Sequence, residues 1–240
     1  MSRDELYANG EVREDFRFNE RVAEVFDDML ARSVPGYARV TEMTAQLLAR
    51  FLTNGDRVYD LGCSTGATLL ELARRLEPIG LHFTGVDNSA AMVAKARLKT
   101  EMYGKQNRLD FIEQDIADVE FAGAGAVLLN YTLQFIRPLM RPIFLEKIYQ
   151  GLRPGGVLVV SEKIIVPDPE LNRAYIDFYL DFKRDQGYSE IEITRKREAL
   201  ENVLIPFSLD ENRELLRRAG FTSFETFSQW FNFASFIAVK

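Results

Sequence analysis

The sequence predicts an α/β fold with a doubly wound, mostly parallel sheet. Apolar strand-like segments alternate with amphipathic helical segments from Val58 to Lys163, as in repeated strand–helix units. One of them, Ala124–Leu129, is a near-continuous run of apolar and small residues, which is typical of a strand buried on both faces. A turn of small residues, Gly62–Gly66, joins the first strand to the next helix.

Two amphipathic helices are predicted ahead of the first strand. Asn19 is suited to cap the first helix, and the segment SVPGY at 33–37 ends it. The expected apolar face of the first helix consists of Val22, Val25, Phe26, Met29 and Leu30. The expected apolar face of the second helix consists of Val40, Met43, Leu47, Phe51 and Leu52.

Strand–helix units then follow in order. Strands are predicted in VYDLG, LHFTGVD, LDFIEQD, AGAVLLNYTLQF and VLVVSEK. Ser89 caps the helix after the second strand, and Ser208 and Glu211 form a capping box for a helix that Gly220 ends. Two final strands, around TSFETFSQW and FASFIAVK, form a hairpin-like pair. This order resembles the S-adenosylmethionine (SAM)-dependent methyltransferase superfamily, which implies a Rossmann-like sheet of seven strands with the first strand central.

The chain is long enough and apolar enough for one α/β domain with an N-terminal extension. At 240 residues and 47% hydrophobic, it has an expected N-terminal arm with helices at 1–54 and an α/β domain at 55–240. A helical insert is expected at about 167–206, between the fifth strand and the last helix.

Charge and cysteine usage favour a cytoplasmic enzyme of small molecules. The net charge of −6 disfavours direct binding of nucleic acid, which requires clustered Lys and Arg. The single Cys63 excludes an internal disulfide and suits a reducing cytoplasm. The polar N-terminus predicts no signal peptide, and no apolar run is long enough to predict a membrane span.

The glycine turn predicts a ligand site at the carboxyl end of the first strand. A dinucleotide fingerprint requires glycine at 62, 64 and 67, but the residues here are Gly62, Ser64 and Ala67. The pattern D-x-G-x-x-x-G fits a methyltransferase loop better, with Ser64 in place of the middle glycine. The preceding Asp60 suits the ammonium of a methionine moiety, whereas it would repel a pyrophosphate.

Polar residues end three further strands. Asp87 is suited to accept hydrogen bonds from two ribose hydroxyls, with capping of the next helix as the alternative. Asp115 stands where the superfamily places an acid on the adenine amino group, with an ordinary surface loop as the alternative. Asn130 ends an apolar strand and either faces a ligand or caps a turn.

Two residue types constrain the chemistry. The only histidine, His82, lies in a predicted strand and is expected to be structural, so a histidine base is not expected. In the helix that Ser189 and Glu192 cap, Arg195 is expected in solvent. Lys196 and Arg197 flank the apolar stripe, and the helical wheel cannot say which of them, if either, binds an anion rather than reaching water.

Longer strings resemble the carboxy-S-adenosyl-L-methionine synthases. The match is carried by RVAEVFDDMLARSVPGY, VYDLGCSTGATLL, DNSAAM, LNYTLQF, KIYQGLRPGG, LVVSEK, DFKRDQGYSEIEITRKREALENV and QWFNFASFIAVK, from about residue 18 to the end. Thr65 and the first 17 residues depart from the pattern. The resemblance implies that Arg197 grips a new carboxylate, and that SAM is lined by Tyr37, Gly62, Cys63, Ser64, Asp87, Asn88, Asp115, Ile116 and Asn130.

The resemblance also implies an activity. Such enzymes use prephenate to carboxylate the S-methyl group of SAM, which yields carboxy-SAM and phenylpyruvate without a metal. Prephenate becomes aromatic by losing carbon dioxide and hydroxide; the hydroxide removes a methyl proton next to the sulfonium, and the resulting carbanion captures the carbon dioxide. A homodimer is expected, with the product passed to a tRNA carboxymethyltransferase that acts on the wobble uridine. The alternatives are an ordinary methyltransferase of a small molecule or RNA, and a non-catalytic nucleotide-binding subunit.

Overall fold

The computed structural model describes residues 2–8, 16–104 and 108–240. Residues 1 and 9–15 of the N-terminal arm lie outside the described residues. The helices are α1 (Glu20–Ser33), α2 (Tyr37–Phe51), α3 (Ala67–Arg75), α4 (Ala90–Met102), α5 (Arg141–Gly151), α6 (Pro169–Asp185), α7 (Glu190–Leu200) and α8 (Leu209–Ala219). The strands are β1 (Arg57–Leu61), β2 (His82–Asp87), β3 (Leu109–Glu113), β4 (Ala124–Asn130), β5 (Leu152–Ile165), β6 (Phe207–Ser208), β7 (Ser223–Trp230) and β8 (Phe233–Val239).

The strands form one sheet in the order β3-β2-β1-β4-β5-β8-β7. Strands β1 to β5 pair in parallel, and β8 runs antiparallel to both β5 and β7. The two-residue β6 pairs only with the end of β5. The predicted doubly wound sheet with a closing antiparallel pair is therefore confirmed. β1 lies inside the sheet next to β4, which holds the middle position.

Helices cover both faces of this sheet. On one face, apolar side chains of β1 and β4 pack with those of α2, α3 and α4. On the other face, the sheet packs with α5 and α8. A third apolar cluster joins α1 to Met92 of α4 and Ala199 of α7. Helix α1 thus packs on α4 of the α/β unit. The division of the chain into an N-terminal part and an α/β domain at residue 54 stays a prediction.

Local capping signals of the sequence are present in the structure. The Asn19 side chain accepts a hydrogen bond from the Val22 N–H, which caps α1. Ser89 caps α4, and reciprocal capping boxes begin α7 and α8. Gly220 ends α8 with a φ of 113°.

The predicted buried face of α2 is wrong in detail. Its buried residues are Thr41, Thr44, Ala45 and Leu48, whereas most of the predicted face, Val40, Met43, Leu47 and Phe51, is only half-buried. Small side chains on the inner face let α2 approach α3 and β5 closely, so the larger apolar side chains lie along its flanks. No helix of the described ranges has both the length and the apolarity needed to cross a membrane.

Gly62 allows the turn after β1 to pass close to Thr132. Its φ is 84°, and an added Cβ would lie 2.5 Å from Thr132 Oγ1 and 2.7 Å from Thr132 Cγ2. Gly55 is a matched position, with a φ of 85° and nothing within 4 Å of the same added atom.

We expect Gly55→Ala to lower the free energy of unfolding by about 1 kcal/mol, through the left-handed backbone alone. Gly62→Ala should cost about 1–3 kcal/mol more, because the new methyl overlaps Thr132. Urea denaturation of both variants measures the difference. Adding Thr132→Ala to the Gly62 variant should recover part of this excess; equal losses at the two glycines would contradict the steric explanation.

Candidate active site

A cavity of about 1030 Å³ opens at the carboxyl ends of β1, β2, β4 and β5. This is the edge of a doubly wound sheet where ligands are expected. Helices α1, α2, α6 and α7 contribute to its wall. All the residues that the sequence analysis assigns to the site line this one cavity: Tyr37, Gly62, Cys63, Ser64, Asp87, Asn88, Asp115, Ile116, Asn130 and Arg197.

Asp87 holds the glycine turn in place. One carboxylate oxygen accepts from the Ser64 N–H at 2.8 Å, and the other accepts from the Ser89 N–H at 2.9 Å. Asp87 thus links the glycine turn to the start of α4. Its contact with the Ser89 N–H is the one expected of an Asp that caps a helix. Each oxygen retains acceptor capacity for a ligand hydroxyl.

The loop has an unusual backbone at its middle residue. Ser64 has a φ of 49°, in the left-handed region that glycine adopts most readily. This explains why methyltransferase loops carry glycine there, and it marks Ser64 as a strained position at a ligand site. Tyr131, at the end of β4, also lines the cavity and has a φ of 59°.

Asp60 is a buried carboxylate without a partner. Only 1% of the residue is exposed, and its Oδ1 makes no hydrogen bond within the described part of the chain. Burial, and secondarily the negative charge of Asp87, raises the pKa of Asp60 to about 7. A cationic ligand group, such as the ammonium of SAM, would neutralise the charge of this carboxylate.

The half-buried Tyr37 and the buried Cys63 are neighbouring polar groups of the same wall. The Tyr37 hydroxyl and Thr68 Oγ1 are 2.6 Å apart in a hydrogen bond, and burial raises the pKa of Tyr37 to about 12. Burial, with added repulsion from Asp60 and Asp87, raises the pKa of the Cys63 thiol well above its usual value. Cys63 is therefore a neutral loop residue rather than a thiolate nucleophile.

The remaining predicted residues lie nearer the rim. Asp115 and Asn88 are exposed, and Asp115 Oδ1 accepts from the Ala117 N–H at 2.9 Å. Asn130 is half-buried at the end of β4. His82 begins β2, at the opposite edge of the sheet, and does not line the cavity.

The structure distinguishes the three cations of α7. Lys196 is buried and donates to Ser33 Oγ at 3.1 Å, with Asp4 Oδ2 at 3.5 Å. Arg197 lines the cavity, is exposed, and its guanidinium makes no hydrogen bond or ion pair in the described ranges. The prediction that Arg195 lies free in solvent is wrong, because it is half-buried and donates to the carbonyls of Tyr7 and Ala8 at 3.0 and 3.2 Å.

Sequence reasoning missed several groups that shape the site. Thr65 donates to Asp27 of α1 at 2.5 Å, and Lys99 of α4 binds the same carboxylate. The buried Arg141 donates to the carbonyls of Ile136, Gln134 and Ile205 at 2.9, 3.3 and 2.6 Å. The contacts of Asp27 with Thr65 and Lys99, and of Arg141 with Ile205, join segments distant in sequence and have no local signature. Lys163 did have a signal, because it ends the predicted strand VLVVSEK and lies two residues before the end of β5.

Comparison with known proteins identifies the family. Residues 58–156 match a family model described as a methyltransferase domain. A carboxy-S-adenosyl-L-methionine synthase of Desulfotalea psychrophila is 55% identical over 238 residues, which cover 99% of this chain and 97% of the relative. The chain belongs to the carboxy-S-adenosyl-L-methionine synthase family.

A second relative supports the same family, and a solved structure supports the fold. A synthase of Wolinella succinogenes is 50% identical over 239 residues, covering 99% of this chain and 98% of that relative. Human N-acetylserotonin methyltransferase, solved in complex with SAM, is 20% identical and covers 92% of this chain, with a TM-score of 0.63. The chain spans 55% of that protein, and this likeness shows the fold alone.

The residues present fit the SAM that the family name implies. The unpartnered Asp60 Oδ1 suits a cationic group, and the Asp87 carboxylate next to it suits a hydroxyl-bearing ribose. No group of three or more His, Cys, Asp or Glu side chains in the described ranges is arranged to hold a metal ion.

We expect SAM affinity to fall as the pH is lowered from about 7 to 5, by up to about tenfold per unit. Its cationic groups favour ionised Asp60, whose pKa in the free protein is about 7, so binding at lower pH must release a proton. The same raised pKa makes this group's contribution to stability of the free protein largest at acid pH and lost as the pH rises through 7. Calorimetric titration in a pH series measures the affinity.

Asp60→Asn is the control for this pH dependence. It should bind SAM more weakly at neutral pH, and its affinity should change less between pH 7 and 5. An unchanged pH slope in Asp60→Asn would show that another group takes up the proton.

Proposed function

We propose that the protein converts SAM and prephenate to carboxy-SAM and phenylpyruvate. Its product is then the carboxymethyl donor for a tRNA carboxymethyltransferase that acts on the wobble uridine. The observation that carries the proposal is the unpaired Arg197 in the same cavity as Asp60 and Asp87. Methyl transfer to a neutral acceptor gives a guanidinium no anion to bind, whereas the carboxylate formed in the proposed reaction would pair with it.

Each end of SAM has a chemically suited partner in the proposed site. Asp60 takes the ammonium of the methionine moiety, Asp87 the ribose hydroxyls, and Asp115 the adenine amino group. The cavity wall that completes the binding surface consists of Tyr37, Gly62, Cys63, Ser64, Asn88, Ile116 and Asn130.

The protein's own contribution to the proposed reaction is positioning and charge. SAM supplies a methyl group that the adjacent sulfonium acidifies, and prephenate supplies carbon dioxide and hydroxide as its ring becomes aromatic. No histidine lines the cavity, in agreement with a base that comes from the substrate. Arg197 would bind the carboxylate that forms, through two parallel N–H donors. Apolar side chains such as Phe26, Met29 and Phe135 would exclude water.

The partner and compartment assignments belong to the same proposal. We propose a cytoplasmic homodimer that does not itself bind nucleic acid. The net charge of −6 and the single buried thiol support this setting. On α6, Leu171 and Phe178 are 50% and 45% exposed, which supports a contact with a second copy.

We expect Arg197→Leu to lower carboxy-SAM formation by about 100-fold or more, because two charge-assisted hydrogen bonds to the product carboxylate are lost. SAM binding should persist, since Asp60 and Asp87 are unchanged. Product is measured by mass spectrometry after incubation with SAM and prephenate, and SAM binding by calorimetry.

Two further variants test the specificity of that effect. Arg197→Lys keeps the charge but loses the planar fork, so its activity should lie between the wild type and Arg197→Leu. Arg195→Leu, on the same helix, removes hydrogen bonds to Tyr7 and Ala8 and should retain the activity. Undiminished synthesis in Arg197→Leu, or equal losses at 195 and 197, would contradict the assigned role.

The mass of the ligand that copurifies with the protein tests the activity itself. Carboxy-SAM is expected in a host that makes prephenate. Plain SAM alone, with no phenylpyruvate released when purified protein receives SAM and prephenate, would instead favour an ordinary methyltransferase.

A further inference from the structure

The cavity extends beyond the residues proposed for SAM. At about 1030 Å³ it lies at the top of the usual range for small-molecule sites, so it has room for a second reactant. Another part of the wall comes from the residue after β4, the end of β5, helix α6 and the turn between β7 and β8. It includes Tyr131, Lys163, Tyr179, Asn232 and Phe233.

Lys163 presents a cation to this part of the cavity without an anionic partner. Its ammonium lies 4.9 Å from the centre of the Tyr179 ring, and it makes no hydrogen bond or ion pair within the described ranges. Burial, and secondarily the charge of Arg197, lowers the pKa of Lys163 to about 8. A cation in such surroundings is costly unless an anion reaches it. The backbone N–H of Lys163 donates to Gln134 Oε1 at 3.1 Å, which fixes the strand at this point.

Asn232 adds a second unsatisfied polar group to the same wall. Only 1% of the residue is exposed, and its Oδ1 has no hydrogen-bond partner among the residues that the structure describes. It follows Phe231, whose φ of 43° turns the chain between β7 and β8. Buried polar groups are rarely left unpaired in native proteins, so an unpaired amide on a cavity wall points to a ligand.

Aromatic rings complete this surface. The Phe233 ring lies 4.9 Å from Tyr179 and 6.2 Å from Tyr131, between centroids. Ring faces next to an ammonium and an amide suit a ligand that joins a flat apolar ring to a carboxylate and a further oxygen.

Neither neighbouring lysine, Lys196 or Lys183, presents an unpaired ammonium to the cavity. The ammonium of Lys196 is held by Ser33 and Asp4. Lys183 is buried, lies 4.9 Å from the Tyr179 ring like Lys163, and does not line the cavity. Lys163 and Arg197 are therefore the two cavity cations without a protein anion in the described ranges.

We infer that Lys163 and Asn232 form the subsite for a ring-bearing carboxylate, with Lys163 bonded to the carboxylate that the second substrate keeps through the reaction. The inference rests on the proposed function and deepens it. In the proposed function, Arg197 binds the carboxylate that is transferred to SAM. A substrate with two carboxylates therefore needs a second cation for the carboxylate that it keeps. The retained carboxylate is that of phenylpyruvate, and Asn232 faces the oxygen-bearing remainder of the molecule.

The test is the binding of phenylpyruvate to the SAM-loaded protein, followed by calorimetry, because this measurement needs no turnover. Lys163→Met should weaken phenylpyruvate about 10- to 100-fold, the usual effect of losing a hydrogen bond to a charged group. Lys183→Met is the matched control, since it removes an equally placed ammonium outside the cavity, and it should leave phenylpyruvate affinity unchanged. SAM affinity should stay the same in both variants.

Asn232→Asp is an independent test, because Asp has nearly the same shape as Asn. Its new carboxylate should repel phenylpyruvate and lower its affinity, while the thermal midpoint of unfolding reports whether the fold is intact.

Several outcomes would overturn the inference: wild-type affinity in Lys163→Met, equal losses in the two lysine variants, or a parallel loss of SAM affinity. Failure of wild-type protein to bind phenylpyruvate would overturn it as well. A wild type that binds phenylpyruvate through Lys163 but makes no carboxy-SAM from prephenate would support the subsite and refute the proposed function.

Discussion

The uncompensated negative charge of Asp60 and Asp87 is the constraint on which the site depends. Parallel pairing of β1 with β2 places the two carboxylates at one edge of the sheet, with Asp60 opposite Gly85. Burial raises the pKa of both, so each carboxylate is under-stabilised in the free protein. The same cavity is also lined by the cations Lys163 and Arg197, whose side chains are unpaired in the described ranges. A cavity with separated and unneutralised charges favours ligands that carry both signs, and it disfavours neutral or purely anionic ones.

Hydrogen bonds through Ser33 connect helices α1, α6 and α7, which all line the cavity. Ser33, at the end of α1, accepts from the Tyr179 hydroxyl through its carbonyl at 3.0 Å and from Lys196 through its Oγ at 3.1 Å. Asp4, ahead of α1, reaches the same lysine at 3.5 Å. The position of Arg197, one residue further along α7, therefore depends on the N-terminal helices as well as on the insert.

Local signals in the sequence predicted most of the fold and several of the residues that line the cavity, and the family resemblance supplied the others. Capping by Asn19 and Ser89, and polar residues that end apolar strands, act through chain neighbours or through the shared edge of a parallel sheet, so a one-dimensional pattern reveals them. The exposure of Arg195 and the inner face of α2 were mispredicted because each depends on what packs against the helix. The choice between Lys196 and Arg197 needed Asp4, which lies 192 residues away in sequence.

The state of Cys63 has a practical consequence. Its thiol is buried and protonated beneath the ligand loop, and it is the only sulfhydryl in the chain. Alkylating dyes and spin labels react with thiolates that they can reach, so the native protein is in effect a cysteine-free background. A cysteine introduced at the 89% exposed Leu139, next to the cavity-lining Met140, would carry a probe at a single known position near the cavity.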